Sequence, residues 1–276
     1  MSATQPKVFP APFDAVASRY DDTFTSSIIG RAQRAAVWKE LTRAFRPGDR
    51  VLEIGCGTGV DACHLGERGV EVLACDPSPE MIDVAEGSVR KRGLQAVVRT
   101  CVLRGEDIWS LPADQMFDGA FSNFGALNCV EDLAPVAKGL ARLLRPGSSA
   151  VLCWMGPFCL WEMLSYLLRG NFAKAFRRLR LGGVSAKLGH QAFVQVRYPS
   201  VAALAKACTP QFRLRSVQGI GVAVPPSYLE PWARRHSRLI RWSEQFDDCF
   251  GRWPGFRSIG DHVLVRLERV QEEGEE

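Results

Sequence analysis

With 276 residues, 46% of them hydrophobic and 24% charged, the chain has an ordinary globular composition and can bury a full core without disulfide or metal staples. No apolar run reaches the roughly 18 residues of a membrane span, and the proline-containing stretch from Met1 to Pro12 has no signal-like apolar segment, so a cytoplasmic location is expected. The formal charge of +5 resides in one stretch: between Gly156 and Arg197, seven bases (Arg169, Lys174, Arg177, Arg178, Arg180, Lys187, Arg197) accompany one acid, Glu162, which argues against a general nucleic-acid binder.

In chain order, residues 13–45 read as helical, with Pro47-Gly48 ending the run. Arg50 to Ile54 is a short strand running into glycines, and Asp61 to Arg68 the helix after it, closed by Gly69. Val70 to Cys75 is the next strand, reaching Asp76-Pro77-Ser78. Pro79 to Arg92 is a helix and Val97 to Leu103 a third strand. Phe117 to Ser122 is a fourth strand, Glu131 to Leu144 a helix, and Ser149 to Trp154 a fifth strand. This alternation predicts βαβ units and a largely parallel sheet. It breaks after Trp154, where Leu160, Met163, Leu164, Leu167 and Leu168, then Phe172, Ala175, Phe176 and Leu179, keep helical spacing. Phe193 to Tyr198 reads as an extra strand and Val201 to Ala207 as a helix. Phe212 to Val224 is then a strand, Tyr228 to Phe250 one helix, and His262 to Leu267 a final strand. The expected organisation is a helical cap over 1–48, a core over 49–155 and 199–270, and an inserted segment over 156–198. Nine cysteines without a CxxC pair give no reason to expect a metal.

The chemistry begins at Glu53-Ile-Gly55-Cys56-Gly57-Thr-Gly59. Glycines at alternating positions between a strand and a helix permit a tight turn, close backbone approach to a ligand and free N–H groups; a plain βα turn is the bland reading. Asp76 ends the following strand, where a carboxylate accepts hydrogen bonds from a ribose diol, although an acid there also caps helices. A nicotinamide enzyme would want GxGxxG, and Val60 stands where its last glycine would fall.

Together these residues resemble the class I S-adenosylmethionine-dependent methyltransferases, whose glycine motif Val51 to Gly59 follows almost letter for letter. The resemblance covers about residues 13–154 closely and the last strands more loosely. It implies an α/β, Rossmann-like fold with seven strands, mostly parallel, helices on both faces and a helical lid inserted after strand five. It also implies S-adenosylmethionine as cofactor and S-adenosylhomocysteine as product. Gly55, Cys56, Gly57 and Gly59 would form the loop under the methionine part, with Glu53 near it. Asp76 would bind the ribose, and Pro77, Ser78 and Met81 would wall the adenine. Glu106 or Asp107 would meet the adenine amine beside Ile108. Ser122, Asn123 and Phe124 match the loop near the reactive methyl, where turn chemistry is the competing reading for Asn123 and Asn128. Tyr20 matches a tyrosine that closes over the cofactor.

The sulfonium methyl is already activated, so positioning supplies much of the catalysis and a base is needed chiefly for a hydroxyl acceptor. Among four histidines, His64 and His262 read as structural, His236 sits among arginines, and His190 in the insert is the base candidate. Phe158, Trp161, Tyr166, His190 and Tyr198 are the expected substrate contacts, Met163, Leu164 and Phe172 further roof residues, and Tyr228 a further pocket candidate. The acceptor is expected to be a hydrophobic or aromatic small molecule methylated on O or N, as in secondary metabolism. C-methylation of a quinone-like lipid and a non-catalytic regulator that binds S-adenosylmethionine are the alternatives. Peripheral membrane contact through the basic insert is compatible with this reading, as is a monomer or a homodimer.

Overall fold

The computed structural model describes residues 11–112, 114–189 and 192–271. Strands β1 (Arg50–Ile54), β2 (Glu71–Asp76), β3 (Val98–Val102), β4 (Phe117–Ser122) and β5 (Leu144–Trp154) run parallel. A small antiparallel hairpin, β6 (Val184–Leu188) and β7 (Ala192–Val196), stands apart from the main sheet. Strands β8 (Phe212–Ile220) and β9 (His262–Arg269) complete a seven-stranded sheet in the order β3-β2-β1-β4-β5-β9-β8, in which β9 alone runs against the rest. The carboxyl ends of the parallel strands therefore lie along one edge, and the reversal of β9 brings its first residue, His262, to that same edge, paired with Ile220 and next to the Val263–Trp154 pair.

The strands are apolar on both faces because helices cover both. Val51, Phe121, Val151, Cys153 and Leu264 pack on one side with α1 (Ile28–Ala44), α2 (Val60–Gly66) and α3 (Pro79–Lys91). Their neighbours Leu52, Ala120, Leu152, Trp154 and Val265 pack on the other with α4 (Leu133–Leu143) and α7 (Val201–Cys208). Between β5 and α7 the insert carries α5 (Leu160–Leu167), α6 (Phe172–Ala175) and the β6–β7 hairpin, so it is less helical than its apolar spacing suggests. One face of the hairpin packs on the amino-terminal 3₁₀ helix Pro12–Arg19.

Two expected helices are broken for local reasons. The stretch 13–45 is a 3₁₀ helix, a π turn (Asp21–Thr25) and then α1, whose start is set by Ser27 accepting the Gly30 N–H. The stretch 228–250 divides into α8 (Glu230–Arg235) and α9 (Ser237–Phe250), because His236 leaves helical geometry and its Nδ1 bonds the Trp232 carbonyl while the two rings stack. The Asp247 carboxylate on α9 accepts the N–H groups of Val222, Ala223 and Val224, which fixes the turn leaving β8. Among the described residues, no helix is long and apolar enough to cross a membrane, and no cluster of ligating side chains suits a metal.

On α2, His64 stacks on Trp38 of α1 at 3.7 Å between ring centres. Burial, with Arg68 alongside, pushes its imidazole from 6.5 down to about 4. The unfolded chain thus binds this proton more readily, so the stabilising contribution is complete above about pH 6.5 and is lost as pH falls toward 4. Thermal unfolding followed from pH 7 to 4 should show a smaller acid-side fall in Tm for His64→Gln than for the parent.

Candidate functional site

The glycine loop leaves β1 at the strand-end edge. Gly55, Gly57 and Gly59 have φ values of +72°, +51° and +75°, in the left-handed region that favours glycine. Their surroundings differ. A Cβ on Gly55 would strike the Ala126 Cβ at 2.1 Å, and one on Gly59 would press on Ala85 at 2.9 Å, so these two are small for packing. A Cβ on Gly57 would meet no protein atom within 4 Å, so this glycine faces open space. The Asp76 carboxylate accepts the Gly57 N–H and the Ser78 N–H, both at 2.9 Å, and ties the loop to the end of β2. Cys56 is buried, and its N–H bonds the Cys75 carbonyl.

Beside the loop lies a buried polar group centred on Asp61. Its carboxylate takes Arg34 at 2.5 Å, Trp38 Nε1 at 2.7 Å and Asn123 Nδ2 at 3.0 Å. Two acceptors nearby have no donor: Oε2 of Glu53, whose side chain is 1% exposed, and Oδ1 of Asn123. Burial, reinforced by the Asp61 charge, holds the Glu53 carboxyl well above the usual carboxylate range. Buried acceptors without donors are costly in a finished protein, and this pair suits a ligand bearing an ammonium group.

The amino-terminal segment is fastened across this edge at two points. Asp14 accepts the Ser78 hydroxyl, and Asp21 accepts the Thr58 hydroxyl. Tyr20 lies between these anchors, with its phenol raised by burial. The Ser78 hydroxyl also caps α3 by accepting the Met81 N–H, and Met81 is in the core; Pro77 is the exposed member of that trio. Glu106 and Asp107 lie on the 3₁₀ helix Gly105–Ser110 after β3; Glu106 pairs with Arg104, and Ile108 is buried facing Gly139 of α4. The Ser122 hydroxyl bonds the Ile54 carbonyl and joins β4 to β1.

Phe124 has φ +49°, a conformation costly for a residue with a side chain. It holds its ring beneath the Arg34 guanidinium at 4.7 Å, edge-on to Phe24 and to His262. These rings begin a cavity of about 290 Å³ lined by Tyr20, Phe24, Phe124 and Met155. Tyr228, His262 and the charged group Glu162, Arg177, Arg178 and Asp261 also line it. Glu162 accepts from Nε of both Arg177 and Arg178, and Arg178 donates onward to Asp261 at 2.8 Å. Two cations and two carboxylates cancel, so these arginines do not form an anion site, contrary to what the basic composition of the insert suggests.

The insert contributes to this cavity through Glu162, Arg177 and Arg178 rather than through the residues expected from its aromatic spacing. Phe158 is exposed, Trp161 donates to the Ala223 carbonyl, Tyr166 carries Lys174 over its ring, and Tyr198 lies against Arg178; none of the four lines the cavity. His190 lies outside the described residues. Asn128, fully buried, bonds the Met155 N–H and carbonyl and the Arg197 carbonyl, so it clamps both ends of the insert to the loop after β4. His262, a core residue by its place in a strand, reaches the cavity because β9 is reversed. No local pattern marks that reversal.

The strand order, the glycine loop and the acid at the end of β2 are those of the class I methyltransferase fold. Residues 51–147 match the methyltransferase domain family. It is 35% identical over 152 residues to a demethylmenaquinone methyltransferase of Mycobacterium marinum, a match covering 54% of this chain and 59% of that one. A second demethylmenaquinone methyltransferase, from Beutenbergia cavernae, is 36% identical over 51% of this chain and 55% of its own. The chain thus spans little more than half the length of the curated relatives it matches. Among solved structures, geranyl diphosphate methyltransferase in complex with S-adenosylmethionine superposes with a TM-score of 0.55 at 17% identity, over 87% of this chain and 85% of that one. The 4+2 cyclase SpnF superposes with a TM-score of 0.60 at 15% identity, over 94% of each chain. At these identities the superpositions concern the fold alone.

Removing Asp61 would leave the buried Arg34 guanidinium without its carboxylate. Asp61→Ala should lower unfolding stability by about 3–5 kcal/mol, measured by urea denaturation. A loss below about 1 kcal/mol would show that the network is not cohesive.

Proposed function

We propose that this protein transfers the methyl group of S-adenosylmethionine to an O or N atom of a hydrophobic, ring-bearing small molecule. The observation that carries the reading is Gly57, a glycine whose Cβ position opens on free space beside the Asp76 carboxylate and within a loop whose other glycines are needed for packing. The residues suit the cofactor. Asp76 keeps lone pairs for a ribose diol beyond its two backbone bonds, and Glu53 and Asn123 offer buried acceptors to the amino group of the methionine part. Tyr20 and the strap fastened at Asp14 and Asp21 would cover it. Glu106 or Asp107 would serve the adenine amine.

S-adenosylmethionine supplies a methyl already activated on a sulfonium. The remaining task for this chain is to hold an acceptor in place and exclude water. The lining residues Tyr20, Phe24, Phe124 and Met155 suit a flat apolar ring, and the charge-balanced group in the same cavity suits a neutral polar substituent. Calorimetry should show micromolar binding of both S-adenosylmethionine and S-adenosylhomocysteine. Asp76→Ala should weaken it by about tenfold or more, through loss of charge-assisted hydrogen bonds. Gly57→Ala should abolish it while lowering Tm by only a few degrees, because the added methyl meets no protein atom and carries about 1–2 kcal/mol of left-handed strain. Absence of heat with both compounds would sink the reading. Binding without methyl transfer to any acceptor would favour a regulatory binder.

A second reading, C-methylation of a quinone-like lipid, draws on the names of the curated relatives and on the outer face of the insert. Leu168, Phe172, Leu181 and Phe193 are exposed there, Leu181 completely, together with Arg169, Lys174, Arg180 and Lys187, which have no carboxylate partner among the described residues. Lys187 and Phe193 are cross-strand partners in the hairpin. Apolar side chains among cations suit an anionic bilayer surface, at about 1 kcal/mol per base. Co-sedimentation should occur with phosphatidylglycerol vesicles, not with phosphatidylcholine vesicles, and should be lost in Lys174→Glu/Arg180→Glu. Equal behaviour toward both vesicle types would remove the membrane component.

A further inference from the structure

We propose that His262 is the catalytic base of this site: it receives the hydroxyl proton of a phenolic or enolic acceptor and is held for that role by Asp261. The assignment rests on the methyl-transfer reading above and adds to it the chemical class of the acceptor.

The other ionisable groups of the cavity wall are already committed. Glu162 and Asp261 are carboxylates already engaged by guanidinium groups, Glu162 with both Arg177 and Arg178, Asp261 with Arg178. The arginines stay protonated and offer no lone pair. Tyr228 and Tyr20 are phenols that burial pushes upward, so they remain neutral acids. Among the described lining residues, His262 alone offers a neutral nitrogen base. Its side chain is about 5% exposed, yet Nδ1 has no hydrogen-bond partner and stands 3.5 Å from Oδ2 of Asp261. A buried polar nitrogen without a partner is uncommon in a finished core.

The surroundings set the direction of proton transfer. Asp261 is fixed by three side chains: Arg178 and the Cys159 thiol of the insert, and Gln33 of α1 at 3.3 Å. It faces the Nδ1 edge of the imidazole, so Nε2 is the nitrogen left for a cavity ligand, and Phe124 packs edge-on against the ring. Burial pushes the imidazole below its ordinary value, Arg178 adds to that, and Asp261 opposes it. The ring is therefore neutral near pH 7, with a lone pair available, and the imidazolium formed on proton uptake lies beside a carboxylate. In the step itself the acceptor O–H bond breaks and its proton passes to Nε2. The electron pair stays on the acceptor, which bonds to the methyl carbon as the C–S pair returns to sulfur in S-adenosylhomocysteine. The proton then leaves His262 for water. The same deprotonation activates a hydroquinone for attack through oxygen, or through the adjacent ring carbon, which then loses its own C–H proton to water as the ring regains its aromaticity and the oxygen its proton.

The experiment uses 1,4-naphthohydroquinone and 4-nitrophenol as acceptors with radiolabelled S-adenosylmethionine, the nitrophenol at pH 9 where it is already ionised. His262→Gln should lower kcat on the hydroquinone by about 10²–10⁴-fold and leave the affinity for S-adenosylhomocysteine within about twofold. It should methylate nitrophenolate within a few-fold of the parent. The parent rate should fall as pH drops through the imidazole pKa, and the variant should lack that limb. Parent-like turnover of the hydroquinone by His262→Gln overturns the proposal. A readout independent of turnover and of the variant's folding is the ¹⁵N spectrum of the parent imidazoles with S-adenosylhomocysteine bound at pH 7.5. A neutral His262 with its proton on Nδ1 supports the proposal, whereas an imidazolium or an Nε2–H tautomer overturns it. Failure of the parent to bind S-adenosylhomocysteine would instead strike the methyl-transfer reading beneath it.

Discussion

The buried carboxylate of Asp61 holds together parts of the chain that must agree for this site to exist. It receives Arg34 and Trp38 from the helix that precedes the sheet, and Asn123 from the loop that follows β4. Arg34 is thereby fixed over Phe124, and Phe124 in turn meets Phe24 and His262. One ion pair therefore links the helix that follows the glycine loop to the aromatic residues of the cavity. A buried pair adds little net stability by itself; its worth here is that it dictates one arrangement of three segments that lie far apart in sequence.

The legibility of the molecule follows the range of the interactions involved. The alternation from β1 to β5 is readable because each strand and helix declares itself within about ten residues. The glycine loop is readable because a tight turn with positive φ leaves few alternatives to glycine. Asp76 is readable because it stands at a strand end at a characteristic distance. What reads poorly is the cavity, which is assembled from six separate stretches of chain. The aromatic residues of the insert, Phe158, Trp161, Tyr166 and Tyr198, look like a roof because apolar spacing reports that a face is covered without reporting by what. Glu162 and its two arginines look like an excess of positive charge until the turn between α5 and α6 brings them into one ion-pair group.

The mixture of aromatic and charge-balanced groups lining the cavity narrows the chemistry that fits it. A multiply charged anion such as a phosphate would find no uncompensated cation among these lining groups, and a fully apolar ligand would leave the polar ones without partners. That the same fold accommodates the 4+2 cyclase SpnF shows how little the sheet dictates about the reaction. The reaction is decided by the few side chains that later segments add to the strand ends.

Asn128 gives this arrangement a mechanical form. Its single amide holds the chain where it leaves the sheet at Met155 and again where it comes back at Arg197. The forty or so residues between begin and end at one fixed point, like a cassette seated in a bracket. Such a segment can diverge, or be exchanged for another of different length, without disturbing the register of any strand. The strand-end edge and the segment seated on it are thus free to evolve at different rates.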